Sequence, residues 1–297
     1  MAPIIATHNL SKRYAHQFAL KDLDVEVHEG EVLGYLGPNG AGKTTTIRLL
    51  LGLIAPTAGH ATLFGLDAQT CATEIHRRLA YVPGDANLWP SLTGKETLAL
   101  LGRVHGHIDE RYRDDLIQRF DFDPSKRVRS YSKGNRQKLA LISALMTRAD
   151  LLILDEPTSG LDPLMERTFR ECMHEAKHNG QTVFLSSHML SEVEALCDRV
   201  AILRAGELLE IGTLAEMRHL SAFSVEATFE AVPPDVSGVP GVSGIEVDGS
   251  KLRCQVTGTI QPLLRVVSNA AVRELVSTKP SLEELFLAHY GGQACGS

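Results

Sequence analysis

No window of this sequence approaches the ~18–20 consecutive apolar residues of a membrane helix. If the function involves a membrane, the crossing therefore falls to another chain. Nor is there a long run of lysine and arginine, and the formal net charge is −6, which argues against nucleic acid as the main partner. The opening Met-Ala-Pro-Ile-Ile-Ala-Thr-His lacks the basic start and long apolar core of a secretory leader, so no signal peptide is expected. Cysteine is sparse. Cys71, Cys172, Cys197, Cys254 and Cys295 are scattered with no C-x-x-C pair, and they read as reduced cytosolic thiols rather than a disulfide framework or zinc site. What remains is an ordinary globular composition, 43% hydrophobic and 22% charged over 297 residues, enough for one large domain or a large one with a small one.

What the sequence does contain is organised around Gly37-Pro38-Asn39-Gly40-Ala41-Gly42-Lys43-Thr44, which fits G-x-x-x-x-G-K-[ST]. Val32 to Leu36 before it reads as a short buried strand. Ile47, Leu50, Leu51 and Ile54 after it recur at helical spacing. Glycines allow backbone N–H groups to wrap an anion, and the helix N-terminus adds positive dipole. Lys43 is expected at the β/γ-phosphates, with the Thr44 hydroxyl a ligand of Mg²⁺. This combination predicts binding of a nucleoside triphosphate.

Two further apolar strands end in chemistry. Leu151 to Leu154 run into Asp155 and Glu156, and Thr182 to Leu185 run into Ser186, Ser187 and His188. Open α/β sheets place ligands at the carboxyl ends of their strands. Asp155 therefore suits the Mg²⁺ shell, Glu156 the polarisation of an attacking water, and His188 the γ-phosphate or that water. Ser132, within Tyr131-Ser132-Lys133-Gly134-Asn135, reads either as a helix N-cap or as an anion contact, and the octapeptide alone leaves both open.

The remaining segments define the organisation. Ile4–Ala6 and Leu23–Val27 read as strands, with Leu10 to Tyr14 between them. From about Thr93 to Phe120, apolar residues at helical intervals among charges indicate a helical insertion. Val200–Leu203 and Leu208–Ile211 form a hairpin pattern around Ala205-Gly206. Past Met217 the pattern changes to alternating strands, including a hairpin around Asp248-Gly249-Ser250, and Ser281-Leu282-Glu283-Glu284 is a capping-box pattern.

Together these motifs resemble the ATP-binding subunit of an ABC transporter over about residues 4–215. The Walker A stretch Gly37–Thr45 comes first, then the signature-like Tyr131 to Asn135. Walker B Leu151–Asp155 follows with Glu156, then the D-loop Ser159-Gly160-Leu161-Asp162 and the switch His188. The resemblance implies an α/β P-loop NTPase core spanning 1–216, with a helical subdomain inserted at about 87–148 and a small α+β accessory or regulatory domain over 217–297. It implies ATP and Mg²⁺, with Lys43, Glu156 and His188 catalytic and Thr44 and Asp155 at the metal. The nucleotide contacts would be Gly37, Pro38, Asn39, Gly40, Ala41, Gly42, Lys43, Thr44 and Thr45, with Tyr14 stacking on the adenine. Ser132 and Gly134 would reach the γ-phosphate held by a second ATP-binding subunit, in a homodimer.

The stretch Ser187 to Glu194, followed by Cys197-Asp198-Arg199-Val200, is similar to the branch serving ABC-2-type permeases. This implies an ATPase at the cytoplasmic face of the membrane, powering export of antibiotics or other lipophilic small molecules through a separate permease. The competing reading is a non-transport ABC ATPase acting on nucleic acid or ribosomes. Two departures stand out. Lys133 replaces the first signature glycine, and Gly84 falls where the Q-loop glutamine belongs, leaving open whether Asp85 or Asn87 substitutes or coupling runs differently.

Overall fold

In chain order the first elements are β1 (Ile5–Tyr14), β2 (Gln17–Leu23), β3 (Glu26–Val27), β4 (Val32–Leu36), α1 (Lys43–Leu50), β5 (Ala58–Leu63) and β6 (Leu66–Asp67). After them come α2 (Ala72–Ile75), β7 (Leu79–Val82), α3 (Gly94–His105), α4 (Glu110–Arg119), α5 (Lys133–Leu145) and β8 (Leu151–Asp155). α6 (Pro163–His178), β9 (Thr182–Ser187), α7 (Leu190–Leu196), β10 (Arg199–Arg204) and β11 (Glu207–Thr213) follow. The computed structural model describes residues 3–106, 108–219 and 223–278. The chain divides into two units, Met1–Ile211 and Gly212–Ser297, a few residues before the expected 216/217 boundary.

The central sheet has the order β11-β10-β4-β9-β8-β7, and its neighbours from β10 to β7 are parallel. Every residue of β4, β8 and β9 is buried, as expected of parallel strands covered on both faces. Their apolar runs supply the driving force. Tyr35 and Phe184 meet with ring centroids 5.0 Å apart, and the Tyr35 hydroxyl lies 3.0 Å from Thr46 Oγ1. The register brings the carboxyl ends level: Leu36 pairs with Ser187, Asp155 with Ser186 and Val82 with Leu154. The loops after β4, β7, β8 and β9 thus leave one edge of the sheet together.

A second sheet, β2-β1-β5-β6 with β3 also on β1, is antiparallel. Here the sequence reading is corrected. Leu10 to Tyr14 lie inside β1, not between strands, and the expected strand over 23–27 is the end of β2 plus the short β3. Asn9 at φ 46°, together with register shifts past Leu10, breaks the period-two alternation that would have shown the long strand.

The helical insertion lies between β7 and β8. α3 opens on a capping box made by Thr93 and Glu96 and stops at Gly106, φ 87°, while Asp109 caps α4 and Ser132 caps α5. α5 packs against both α3 and α4.

The second unit holds α8 (Leu214–His219), β12 (Phe223–Phe229), β13 (Val242–Asp248), β14 (Lys251–Val256), α9 (Gln261–Val267) and β15 (Val272–Thr278). Its sheet runs β13-β14-β12-β15 with antiparallel neighbours. Val225, Ala227 and Phe229 share a core with Leu252, Cys254, Val256 and with Leu263 and Val267 of α9. The capping-box pattern at Ser281 and Cys295 lie outside the described residues. The other four cysteines are free thiols.

Candidate active site

The phosphate-binding loop leaves β4 and enters α1 through Gly42, at φ 111°. A Cβ at Gly37 would sit 2.6 Å from Leu203 O, and one at Gly42 would sit 2.5 Å from Ala19 O. The glycines are required by close approach to β10 and β2, in addition to any ligand. Pro38, Asn39, Gly40, Gly42, Lys43, Thr44 and Thr45 line a concavity of about 170 Å³ together with Ala19 and Glu156. Lys43 is buried. Its ammonium donates to Gly37 O at 2.7 Å and Pro38 O at 3.2 Å, and lies 3.3 Å from Glu156 Oε1. Ala41, also buried, donates its N–H to Pro38 O and closes the loop.

At the end of β8, Thr44 Oγ1 donates to Asp155 Oδ2 at 3.0 Å, and Ser186 Oγ donates to Asp155 Oδ1 at 2.5 Å. Adjacent ligands of an octahedral Mg²⁺ with bonds near 2.1 Å stand about 3 Å apart, so the Thr44–Asp155 oxygen pair fits that ion in spacing and in hardness. Burial, reinforced by the Asp155 carboxylate, pushes the neighbouring Tyr81 phenol up to about 12, so it remains neutral.

Glu156 follows directly, and its backbone is left-handed at φ 47°, rare for a residue with a side chain. Its N–H donates to Ser186 O at 3.1 Å and Ser186 Oγ at 3.2 Å. Its Oε1 lies 3.3 Å from both Lys43 Nζ and His188 Nδ1. His188, half-exposed, thus joins the group from the end of β9. Ser187 before it accepts from Met189 N–H at 2.9 Å and donates to the buried Glu192 at 2.5 Å. Burial pushes the Glu192 carboxyl up.

The structure therefore gathers Lys43, Thr44, Asp155, Glu156 and His188 at one sheet edge. Three expected residues stand elsewhere. Tyr14 ends β1, half-exposed, with Lys12 Nζ 5.3 Å from its ring centroid, and is not among the described residues lining the concavity. Ser132 is exposed at the start of α5, where its hydroxyl accepts from Asn135 N–H at 3.2 Å, and Gly134 packs on the loop after β8. A Cβ at Gly134 would lie 2.5 Å from Gly160 O, a structural reason for that glycine. Lys133, the departure from the signature, donates to Ser159 Oγ at 2.9 Å. Asp85 and Asn87 are exposed and absent from the described concavity lining. Sequence reasoning missed Ser186, although its place in a polar triplet at a strand end was the available signal.

Comparison with known proteins identifies the family. The family model described as ABC transporter matches residues 20–159. The bacitracin transport ATP-binding protein BcrA of Bacillus licheniformis is 40% identical over 213 residues, covering 71% of this chain and 70% of that protein. The daunorubicin resistance ATP-binding protein DrrA3 of Streptomyces coeruleorubidus is 33% identical over 299 residues, covering 95% and 94%. The dimeric ATP-binding cassette MJ0796, solved in a post-hydrolysis state with ADP and Pi, superposes with a TM-score of 0.65 at 22% identity, over 71% of this chain and 98% of that one. The loop Gly37–Thr44 with Asp155, Glu156 and His188 gathered beside it, and relatives of this identity and coverage, lead to one assignment: the chain belongs to the ABC transporter family, as an ATP-hydrolysing subunit.

Proposed function

We propose that this chain powers an ABC-2-type exporter of antibiotics or other lipophilic small molecules, paired with a second copy of itself beneath a separate permease at the cytoplasmic face of the membrane. The observation that carries the reading is the convergence on Glu156 Oε1. Lys43 and His188 both approach it at 3.3 Å, while Ser132 is exposed and is not among the described residues lining the concavity. The site is thus complete on one side only, and a second subunit would supply Ser132 and Gly134. Names of relatives concerned with bacitracin transport and daunorubicin resistance support the export of antibiotics. Among the described residues no helix is long and apolar enough to cross a membrane, so the permease is a separate chain in this reading.

In the proposed mechanism the loop N–H groups and Lys43 bind the phosphates, and the α1 N-terminus adds its dipole. Thr44 and Asp155 would hold Mg²⁺, which supplies charge neutralisation at the phosphates. Glu156 accepts a proton from water, and His188 orients that carboxylate from its other side. Tyr14 stacks on the adenine. A groove of about 590 Å³, lined in part by Leu53, Tyr81, Leu101 and Val104, is the proposed seat of the permease. Leu53 and Val104 are 61% and 77% exposed there, and Tyr81 belongs to β7, which leads into Pro83 and Gly84. The unit from Gly212 onward serves as an accessory regulatory domain. Membrane fractionation of the tagged chain tests the assignment. An integral membrane permease is expected as the tightest partner, and recovery with ribosomes or nucleic acid instead would refute it.

A further inference from the structure

We infer that Gln137 is a positioning residue: its amide bolts the signature helix to the two loops that shape this chain's own hydrolytic site. Gln137 lies in α5, five residues after its N-cap Ser132, and is 1% exposed. Its Nε2 donates to Pro157 O at 3.1 Å and to Pro83 O at 3.5 Å. A primary amide carries two N–H donors, so both carbonyls can be served at once. Pro157 follows Glu156, and Pro83 precedes Gly84.

Those two loops also touch each other. A Cβ at Gly84 would lie 3.1 Å from Asp155 O and 3.7 Å from Glu156 Cβ, so Gly84 sits close to the backbone carbonyl of Asp155 and the root of the Glu156 side chain. Gly84 has no side chain to hold that spacing, and the exposed Asp85 and Asn87 do not line the described concavity. The polar side chain that spans the two loops comes instead from the helical insertion. Glu156 needs such support. Its left-handed φ of 47° is a conformation that persists only where the surroundings over-determine it. Ser186 holds the residue from the β9 side through its N–H, and Gln137 holds the following peptide from the α5 side.

The consequence is a mechanical link. Ser132 and Gly134, proposed to meet the nucleotide of a second subunit, share α5 with Gln137. A shift of that helix on closure would move the backbone beside Glu156. The link rests on Glu156 being the base, so the test treats the two readings separately.

The full-length chain is compared with Gln137→Met, close in length but without donors, and with Gln137→Leu, shorter and also without donors. Glu156→Gln and the double variant Gln137→Met/Glu156→Gln complete the set. Phosphate release gives kcat and KM for Mg-ATP, and thermal melting reports the fold. Both Gln137 variants should lose about 10–100-fold in kcat, as expected for sub-ångström misplacement of a reacting group, with KM for ATP within about threefold. In the Glu156→Gln background, adding Gln137→Met should lower the residual rate by less than about twofold, because a residue acting through Glu156 has nothing left to position. Wild-type kcat in either folded Gln137 variant overturns the inference. So does an equal loss in both backgrounds, which would mark a general structural role. Should one variant fail to fold, the other decides. Wild-type turnover in Glu156→Gln would instead overturn the base assignment, a separate result.

Discussion

Replacing Glu156 by glutamine changes one atom and should separate binding from chemistry. The side chain keeps its length, and glutamine tolerates the φ of 47° no worse than glutamate does. What is lost is the negative charge 3.3 Å from both Lys43 Nζ and His188 Nδ1. The structural cost is small. Lys43 retains Gly37 O and Pro38 O as acceptors, and the glutamine side chain still offers an oxygen to it. The chemical cost is large, because an amide cannot take the proton from water. Turnover should fall about 10²–10⁴-fold, equivalent to ~2.7–5.4 kcal/mol of barrier at 1.36 kcal/mol per decade.

Binding should survive, since Lys43, Thr44 and Asp155 are untouched. With ATP bound but not hydrolysed, the associated form accumulates by mass action. Phosphate release and sedimentation velocity with Mg-ATP, on the same preparation, measure both effects. The expected pattern is a slow enzyme that sediments as a dimer with Mg-ATP and as a monomer without it. Hydrolysis at the wild-type rate would remove Glu156 as base. A variant that is inactive, ATP-bound and monomeric would refute the two-chain site for the isolated subunit.

Lys43→Ala should weaken Mg-ATP binding by at least about 10–100-fold, from loss of a charge-assisted contact of ~1.5–3 kcal/mol, with the fold retained by circular dichroism; near-normal ATPase turnover would contradict the loop assignment. Gly84→Gln places a Cβ 3.1 Å from Asp155 O, which asks that carbonyl to give by a few tenths of an ångström; basal phosphate release should stay within about fivefold of wild type, and its disappearance would show that the loop backbone cannot move. Glu192 has its carboxyl raised above the usual 4.5, chiefly by burial, with Glu166 raising it further and Ser187, Thr158 and His188 opposing. The stability it contributes as the neutral acid is complete below about pH 4.5 and is lost as pH rises through the raised folded value. Glu192→Gln should therefore melt above wild type by a margin that widens with pH on that side, and parallel Tm–pH curves would refute this.

Legibility varied with the physics of each segment. Fully apolar strands such as Leu151–Leu154 and Val32–Leu36 stand out because parallel strands buried on both faces admit no polar residue until they end. Their last residues are then the candidates for the site, since ligands of an open α/β sheet bind at the carboxyl ends of its strands. β1 was illegible beyond Ala6. It is half-exposed and bulged, and Leu10 and Ser11 are buried in succession where alternation would expose one of them. Gln137 was equally hidden. In sequence it is one polar residue in the first turns of an amphipathic helix, which most often faces water. Only the fold brings Pro83 O and Pro157 O, from the loops after β7 and β8, within reach of its amide.

The left-handed backbone at Glu156 ties these points together. Glycine would adopt φ 47° freely, whereas a residue with a Cβ bears a cost of about 1–2 kcal/mol there. That cost is smaller than the ~2.7–5.4 kcal/mol of barrier a general base would remove, so in the proposed role of Glu156 a strained glutamate serves turnover better than a relaxed glycine. Extended backbone would carry the strand direction of β8 onward and alternate the next side chain away from its neighbour's face. The left-handed turn breaks that alternation. It lets Asp155 reach Thr44 while Glu156 reaches Lys43 and His188, so two consecutive carboxylates serve two different partners at one sheet edge. In the proposed roles a metal carboxylate and a base can be sequence neighbours because the chain turns between them, with Ser186 bonded to the Glu156 N–H on one side and Gln137 to Pro157 O on the other.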